Sequence, residues 1–159
     1  MGFNHADAIG EVGFKDGELF LCREIYEYEK DTSELIQIAN EKRFNKKLVM
    51  WCDSAEPDRI KMWKKAGYHA EAVVKEPGSV SAQIDHLKQS RIHIHPSCTM
   101  TIKEIQQWKW RKDERTNTFT DEPVNFFDDA MAMLRYSIEF ERRKGQEPRK
   151  RRANRKTAF

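Results

Sequence analysis

Leu48-Val49-Met50-Trp51-Cys52-Asp53-Ser54-Ala55-Glu56-Pro57 is the stretch that decides the fold. An unbroken apolar run after Lys46 and Lys47 reads as a strand buried on both faces, the pattern of a sheet covered on each side. Asp53 stands where the strand ends, and Pro57 opens an amphipathic stretch from Asp58 to Ala66. A carboxylate at the carboxyl end of a buried strand, just before a helix, sits where open α/β sheets gather ligands and chemistry. From position alone, an aspartate that merely ends the strand or caps the helix explains Asp53 equally well.

Upstream, Ala8 to Phe14, then Lys15-Asp16-Gly17, then Leu19 to Tyr28 predicts a β-hairpin, because Asp-Gly between strand residues is a strong turn signal. Asp31-Thr32-Ser33-Glu34 carries capping chemistry for a helix whose inner face is Leu35, Ile36, Ile38 and Ala39. Downstream, Gly67 closes the helix that Pro57 opens. Ala70 to Lys75 reads as a strand and Glu76-Pro77-Gly78 as a turn. Ser79 is expected to cap a helix reaching Lys88, with Val80, Ile84 and Leu87 inward. Arg91 to His95 alternates with period two, as a half-exposed strand does. A helix follows from Ser97 or Thr99 through Ile102, Ile105 and Trp108, then a second hairpin or long loop to Pro123, then a helix from Phe126 to about Arg143 with Met131, Leu134 and Ile138 on one face. Strands alternating with helices after an initial hairpin predict a mixed α/β sheet flanked by helices.

With 159 residues, one domain with a real core is expected, here over residues 1–143. The sequence is 38% hydrophobic and 35% charged, and no apolar run approaches the roughly 18 residues of a membrane helix. Cys22, Cys52 and Cys98 have no metal-ligand spacing and read as reduced thiols in a cytoplasmic protein. Residues 141–159 hold nine Lys/Arg against two Glu, whereas the remainder is mildly acidic. The segment 144–159, with Arg149-Lys150-Arg151-Arg152, therefore reads as a disordered basic arm suited to phosphates.

Asp128 and Asp129 form the second candidate cluster, between Phe126-Phe127 and Met131. Acids at a helix start favour its dipole, which is one account of them. Carboxylates held beside apolar surface also call for a cation, and oxygen ligands drawn from separate elements suit Mg²⁺ or Mn²⁺. His93 and His95, two apart on a strand, make a competing metal pair without a nearby third ligand. No Gly-rich phosphate loop and no nucleophile elbow is present, so neither nucleotide hydrolysis nor serine-hydrolase chemistry has support.

These residues carry a resemblance. Asp53-Ser54-Ala55-Glu56-Pro57, Lys75 before Pro77-Gly78-Ser79-Val80, Ile92-His93-Ile94-His95-Pro96-Ser97-Cys98, Trp108-Lys109-Trp110, Asp121-Glu122-Pro123-Val124, Asp128-Asp129 and Leu134-Arg135-Tyr136 together resemble the C-terminal nuclease domain of phage terminase large subunits. The likeness spans nearly all of residues 2–140. It implies an RNase H-like mixed sheet and a divalent-metal-dependent endonuclease that cuts concatemeric DNA with two Mg²⁺ or Mn²⁺ ions. It also implies double-stranded DNA, an ATPase domain, a small terminase subunit and a portal as partners, in the cytoplasm of a bacterial host. Asp53 matches the second-motif aspartate, a metal ligand. Asp128 and Asp129 fall at the final acidic motif. Where many relatives have histidine followed three residues later by aspartate, this chain has Asp129 and Ala132. Ala132 cannot bind metal, so the ligand is Asp129, Asp128 or both, with Asp129 favoured. Lys75, Lys109, Arg111 and Lys112 are the expected DNA contacts, with Arg149, Lys150, Arg151 and Arg152 of the arm. Relatives also carry a central strand ending in Gly-x-Asp-x-Gly just before the stretch matched by Phe3-Asn4-His5, and it bears the first metal-binding aspartate. The sequence here starts at Met1-Gly2, so the expectation is a domain with that strand largely missing and with weak or no cleavage. The alternatives are a non-catalytic DNA- or partner-binding remnant, or another RNase H-fold nuclease or resolvase.

Overall fold

A computed structural model of the protein describes residues 5–107, 110–123 and 128–144. The first hairpin forms as the sequence predicts. β1 (Asp7–Lys15) pairs antiparallel with β2 (Glu18–Glu27), and a bulge lies between Glu11 and Val12. Asp16 and Gly17 turn the chain with φ of 53° and 78°, the doubly positive pair that matches a two-residue turn to strand twist. α1 (Thr32–Glu41) starts on a full capping box. The Asp31 side chain accepts from Glu34 N, and the Glu34 side chain accepts from Asp31 N.

β3 (Val49–Cys52), α2 (Pro57–Lys65) and β4 (His69–Ala72) form a parallel crossover unit. Gly67 adopts φ of 90° just beyond α2, as a helix-closing glycine does. α3 (Ser79–Gln89) leads to β5 (Ile92–Ile94), which lies parallel to β2. α4 (Thr99–Gln107), the hairpin β6 (Trp110–Asp113) with β7 (Thr118–Pro123), and α5 (Asp129–Lys144) complete the order. α/β layering is therefore present, but the strands among the described residues form three sheets, β1-β2-β5, β3-β4 and β6-β7.

Two apolar clusters lie on opposite sides of these strands. One gathers Ile25, Leu35, Ala39, Ile60, Trp63 and Tyr68 under α1 and α2, and the other gathers Leu19, Leu87, Met131, Leu134 and Ile138 under α3 and α5. β1 feeds both, with Ile9 against the first and Val12 against the second.

Three local expectations need correction. β3 is not buried on both faces: Val49 is 40% and Leu48 45% exposed, because β4 lines only one of its edges. Ser79 does not cap α3; Gly78 holds that position at φ of 77° and Ser79 is buried as the first helical residue. Val80 is 43% exposed, so the inner face of α3 runs through Gln83, Ile84 and Leu87. α4 buries Thr101 and Glu104, whose polar partners are described below, and packs Ile105 partly buried against the second cluster.

Candidate metal centre

The α5 amino terminus is built by borrowed carboxylates. Glu24, on β2, accepts from Met100 N, Thr101 N and the Thr101 hydroxyl, and so satisfies the first turn of α4. One turn on, α4 supplies Glu104, which is fully buried. It accepts from Tyr26 Oη at 2.6 Å and from Met131 N in the first turn of α5 at 3.1 Å. Burial pushes the Glu104 carboxyl up, against the pull of those hydrogen bonds. Tyr26 is likewise raised far above its ordinary value, by burial first and then by Glu104. The Asp128 carbonyl accepts from Ala132 N at 2.8 Å, which closes the first turn.

Asp129 therefore stands on a braced helix end. Its Oδ2 accepts from Ala6 N at 2.9 Å, and its Oδ1 lies 3.2 Å from His5 Nδ1. Burial, then the neighbouring Asp129 charge, raises the Asp128 carboxyl. His5, Asp128 and Asp129 each present one ligand atom, all within 4.8 Å of one another. Carboxylate oxygens with one imidazole suit Mn²⁺ and Mg²⁺-class ions. Sequence reasoning misses His5, and with 124 residues between it and Asp129 no local signal marks it.

Asp53 ends β3 facing the same cleft. Its Oδ1 accepts from Lys75 Nζ at 2.6 Å and from Ala55 N at 2.9 Å, and its Oδ2 accepts from Tyr136 Oη at 3.1 Å. The helix-cap account fails, because Glu56 holds the α2 cap position and makes no side-chain cap bond. Burial opposes ionisation of Asp53, but Lys75, the Ala55 N–H and Tyr136 outweigh it and hold the carboxyl below its ordinary value. Lys75 is raised in turn, first by that hydrogen bond. Burial and the Asp53 charge raise Tyr136. Tyr136 lies two turns beyond Asp129 on α5, so helical spacing from Asp129 is the signal that could have found it.

A cleft of about 480 Å³ joins these groups, lined by Asp7, Asp53, Asp129 and Tyr136 among others. Asp129 lines the cleft and Asp128 does not. Asp53 opens onto the cleft but is not a member of the His5–Asp128–Asp129 group. Asp7, the other acid nearby, is engaged by Arg59 Nη2 at 2.6 Å, and Arg59 also binds Thr32 and Glu56.

The histidine pair on β5 has ordinary partners. His93 lies 2.6 Å from Glu18 and stacks on Phe20 at 4.5 Å, while His95 Nδ1 lies 2.7 Å from Ser97 Oγ. Of the expected DNA contacts, Lys75 does not itself line the cleft but binds Asp53, which does. Arg111 and Lys112 fall on β6, in a hairpin that pairs with neither other sheet. Lys109, Arg149, Lys150, Arg151 and Arg152 lie outside the described residues. No helix among the described residues is long and apolar enough to cross a membrane.

Solved structures share this arrangement of strands and helices. The large terminase (g2p) nuclease domain of bacteriophage SPP1, solved with bound Mn, superposes with a TM-score of 0.80 at 15% identity over 88% of this chain and 81% of that one. The P22 large terminase nuclease domain gives 0.65 at 16% identity, over 89% and 78%. The large terminase of a thermophilic bacteriophage gives 0.68 at 16% identity, and the match covers 88% of this chain but 38% of that protein. No curated protein is matched. A family model described as the terminase RNAseH-like domain matches residues 5–139, and the chain belongs to that family.

Proposed function

We propose that this domain is the metal-dependent DNA endonuclease of a phage packaging terminase, acting on concatemeric viral DNA. The observation that carries the reading is that Asp53 and Asp129, 76 positions apart in sequence, open onto one cleft and are linked through α5 by Tyr136. Asp129 with Asp128 and His5 would hold one Mg²⁺ or Mn²⁺, and Asp53 would hold a second. Ions held there would supply activation of a water nucleophile and charge stabilisation at the leaving oxygen. Tyr136 fixes the direction of the Asp53 carboxylate, and Lys75, beside it, meets a phosphate oxygen. DNA contacts are mainly to phosphate and therefore salt-sensitive. The ATPase domain, small subunit and portal of the packaging motor are the proposed partners, in the host cytoplasm.

One observation favours the second reading, a non-catalytic remnant. The Asp53 carboxylate is already occupied by three donors of its own chain, and only the Asp128–Asp129 end forms a ligand group among the described residues. Weak or absent cleavage by this chain alone is accordingly expected. The test is Mn²⁺ titration together with supercoiled plasmid cleavage. Mn²⁺ binding lost in Asp53→Ala and Asp129→Ala supports the nuclease reading, whereas a folded chain that binds no Mn²⁺ favours the remnant. Brisk plasmid cleavage abolished by Asp53→Ala would overturn the expectation of low activity and leave the site standing.

A further inference from the structure

We infer that the cations gathered where α1 and α2 end form a phosphate-binding surface for duplex DNA, apart from the cleft and at the opposite end of β3 from the acids. The inference does not rest on the nuclease reading, because binding here needs neither a metal nor the cleft.

The two helices close in the same way and differ at one residue. Beyond α2, Gly67 N donates to Lys64 O and Tyr68 N to Trp63 O, with Gly67 at φ of 90°. Beyond α1, Arg43 N donates to Asn40 O and Phe44 N to Ala39 O, with Arg43 at φ of 55°. This paired closure ordinarily takes glycine, since a side chain is strained in the left-handed region. α1 thus keeps an arginine where glycine would close the helix at lower cost. Arg43 is exposed, and its guanidinium binds no group among the described residues, so local packing does not explain it. A strained backbone that serves no local contact points to function.

Arg43 has cationic neighbours. Lys42, Lys46 and Lys47 share its loop, all are exposed, and among the described residues no carboxylate pairs with any of the four. Backbone carbonyls anchor this group instead. Arg23 donates to Lys42 O and Arg43 O, Lys42 to Glu24 O, and Lys46 to Ala66 O at the end of α2. A neutral carbonyl fixes the side chain and leaves its charge to the solvent. Cations at helix C-termini also complement the helix dipole, which accounts for Arg23 and Lys46. It asks nothing further of Arg43, Lys47 or Lys65, whose exposed side chains bind no group among the described residues. Glu11 reaches the loop, at Asn45 N, and the surface keeps a positive excess.

The partner follows from what this surface lacks. Phe44 is buried, and no large apolar side chain is exposed from Glu41 to Lys47 or from Lys64 to Gly67. The exposed Leu48 and Val49 that come next line the cleft. Protein interfaces are built on aromatic and apolar centres and are poor in lysine, whereas phosphate contact needs cations alone. β3 runs between Lys47 and Asp53, which at about 3.3 Å per residue puts the surface roughly 20 Å from the Asp53 end.

The experiment measures anisotropy of a labelled duplex of about 20 base pairs with the full chain, in EDTA, across a salt series. Arg43→Gly combined with Lys47→Gln and Lys65→Gln is expected to weaken binding by about tenfold or more. The slope of log affinity against log salt should lose about two to three units. Arg43→Gly alone should hold or raise the melting temperature while it weakens binding, a split that a structural arginine does not give. Lys30→Gln, Lys61→Gln and Arg91→Gln together are the control, since these cations pair with Glu34, Asp58 and Glu18. That control should shift the slope by less than about one unit. Equal slopes for the parent and the triple variant overturn the inference, as does an equal loss in the control. A lower melting temperature with unchanged binding in Arg43→Gly also overturns it. So does loss of binding to a decaglutamate peptide with duplex binding intact, which hands the surface to an acidic protein. Mn²⁺ titration of the triple variant should match the parent, so this inference and the nuclease reading fail separately.

Discussion

The Tyr136 hydroxyl donates to Asp53 Oδ2 at 3.1 Å and so ties the end of β3 to the helix that begins at Asp129. Tyr136→Phe removes that donor alone. It is expected to cost about 1 kcal/mol of stability, by the usual worth of such a bond, and to raise the Asp53 carboxyl toward its ordinary value. Thermal unfolding and a carboxyl-detected NMR titration of Asp53 measure the two effects. An Asp53 titration identical to wild type would show that the hydroxyl does not bear on the carboxylate.

Lys75 places an ammonium against the oxygen that a cation would take. Lys75→Met should therefore strengthen Mn²⁺ binding roughly fivefold, the equivalent of about 1 kcal/mol. Stability should change by less than about 1 kcal/mol, because both groups reach solvent. DNA affinity should fall, and its salt dependence should lose about one unit of slope. Calorimetry and fluorescence anisotropy give the two opposed directions. Weaker Mn²⁺ binding in the variant would mean that Lys75 supports the ion rather than competing with it.

His5 is exposed, yet it lies beside Asp129. His5→Ala is expected to lower Mn²⁺ affinity on the order of tenfold, about 1.4 kcal/mol, while the melting temperature stays put. Titration of both proteins under one buffer decides it. Equal affinities would leave the aspartate pair as the whole ligand set at that end.

Glu139 reports on acid stability. It is 4% exposed, and it accepts from Gln83, Arg142 and Arg143. Burial opposes its charge, but these donors prevail and bring the carboxyl down to about 2 from an ordinary 4.5. A depressed carboxyl stabilises the fold fully above about pH 4.5, and that contribution, roughly 3 kcal/mol, drains away as pH falls toward 2. Glu139→Gln should be less stable at pH 7 and should lose less between pH 5 and pH 2. Thermal melts across that range test it, and parallel curves for the two proteins would contradict the assignment.

What was legible in the sequence was local. The Asp16-Gly17 turn, the Asp31–Glu34 capping box, Pro57 at a helix start and Gly67 at φ of 90° each follow from the backbone demands of one or two residues. Asp53 at a strand end and the acid pair opening α5 were also visible, since both depend on element boundaries. Burial was harder. The run Leu48 to Cys52 expresses a need for cover, but whether a neighbouring strand supplies it is decided elsewhere, and Val49 remains 40% exposed. The partners of the acids were legible only in part: Lys75 stands out in the sequence, and Tyr136 sits at helical spacing from Asp129. What could not be read is the pairing itself, since Tyr136 reaches Asp53 across 83 positions and His5 reaches Asp129 across 124, and only the tertiary fold brings them together.

The glutamates that open α4 and α5 couple elements in series. Glu24 on β2 holds the first turn of α4, and Glu104 on α4 holds the first turn of α5. Asp129 inherits its direction from both contacts, so a defect as remote as Glu24 would surface as a misaimed carboxylate rather than as a chain that fails to collapse.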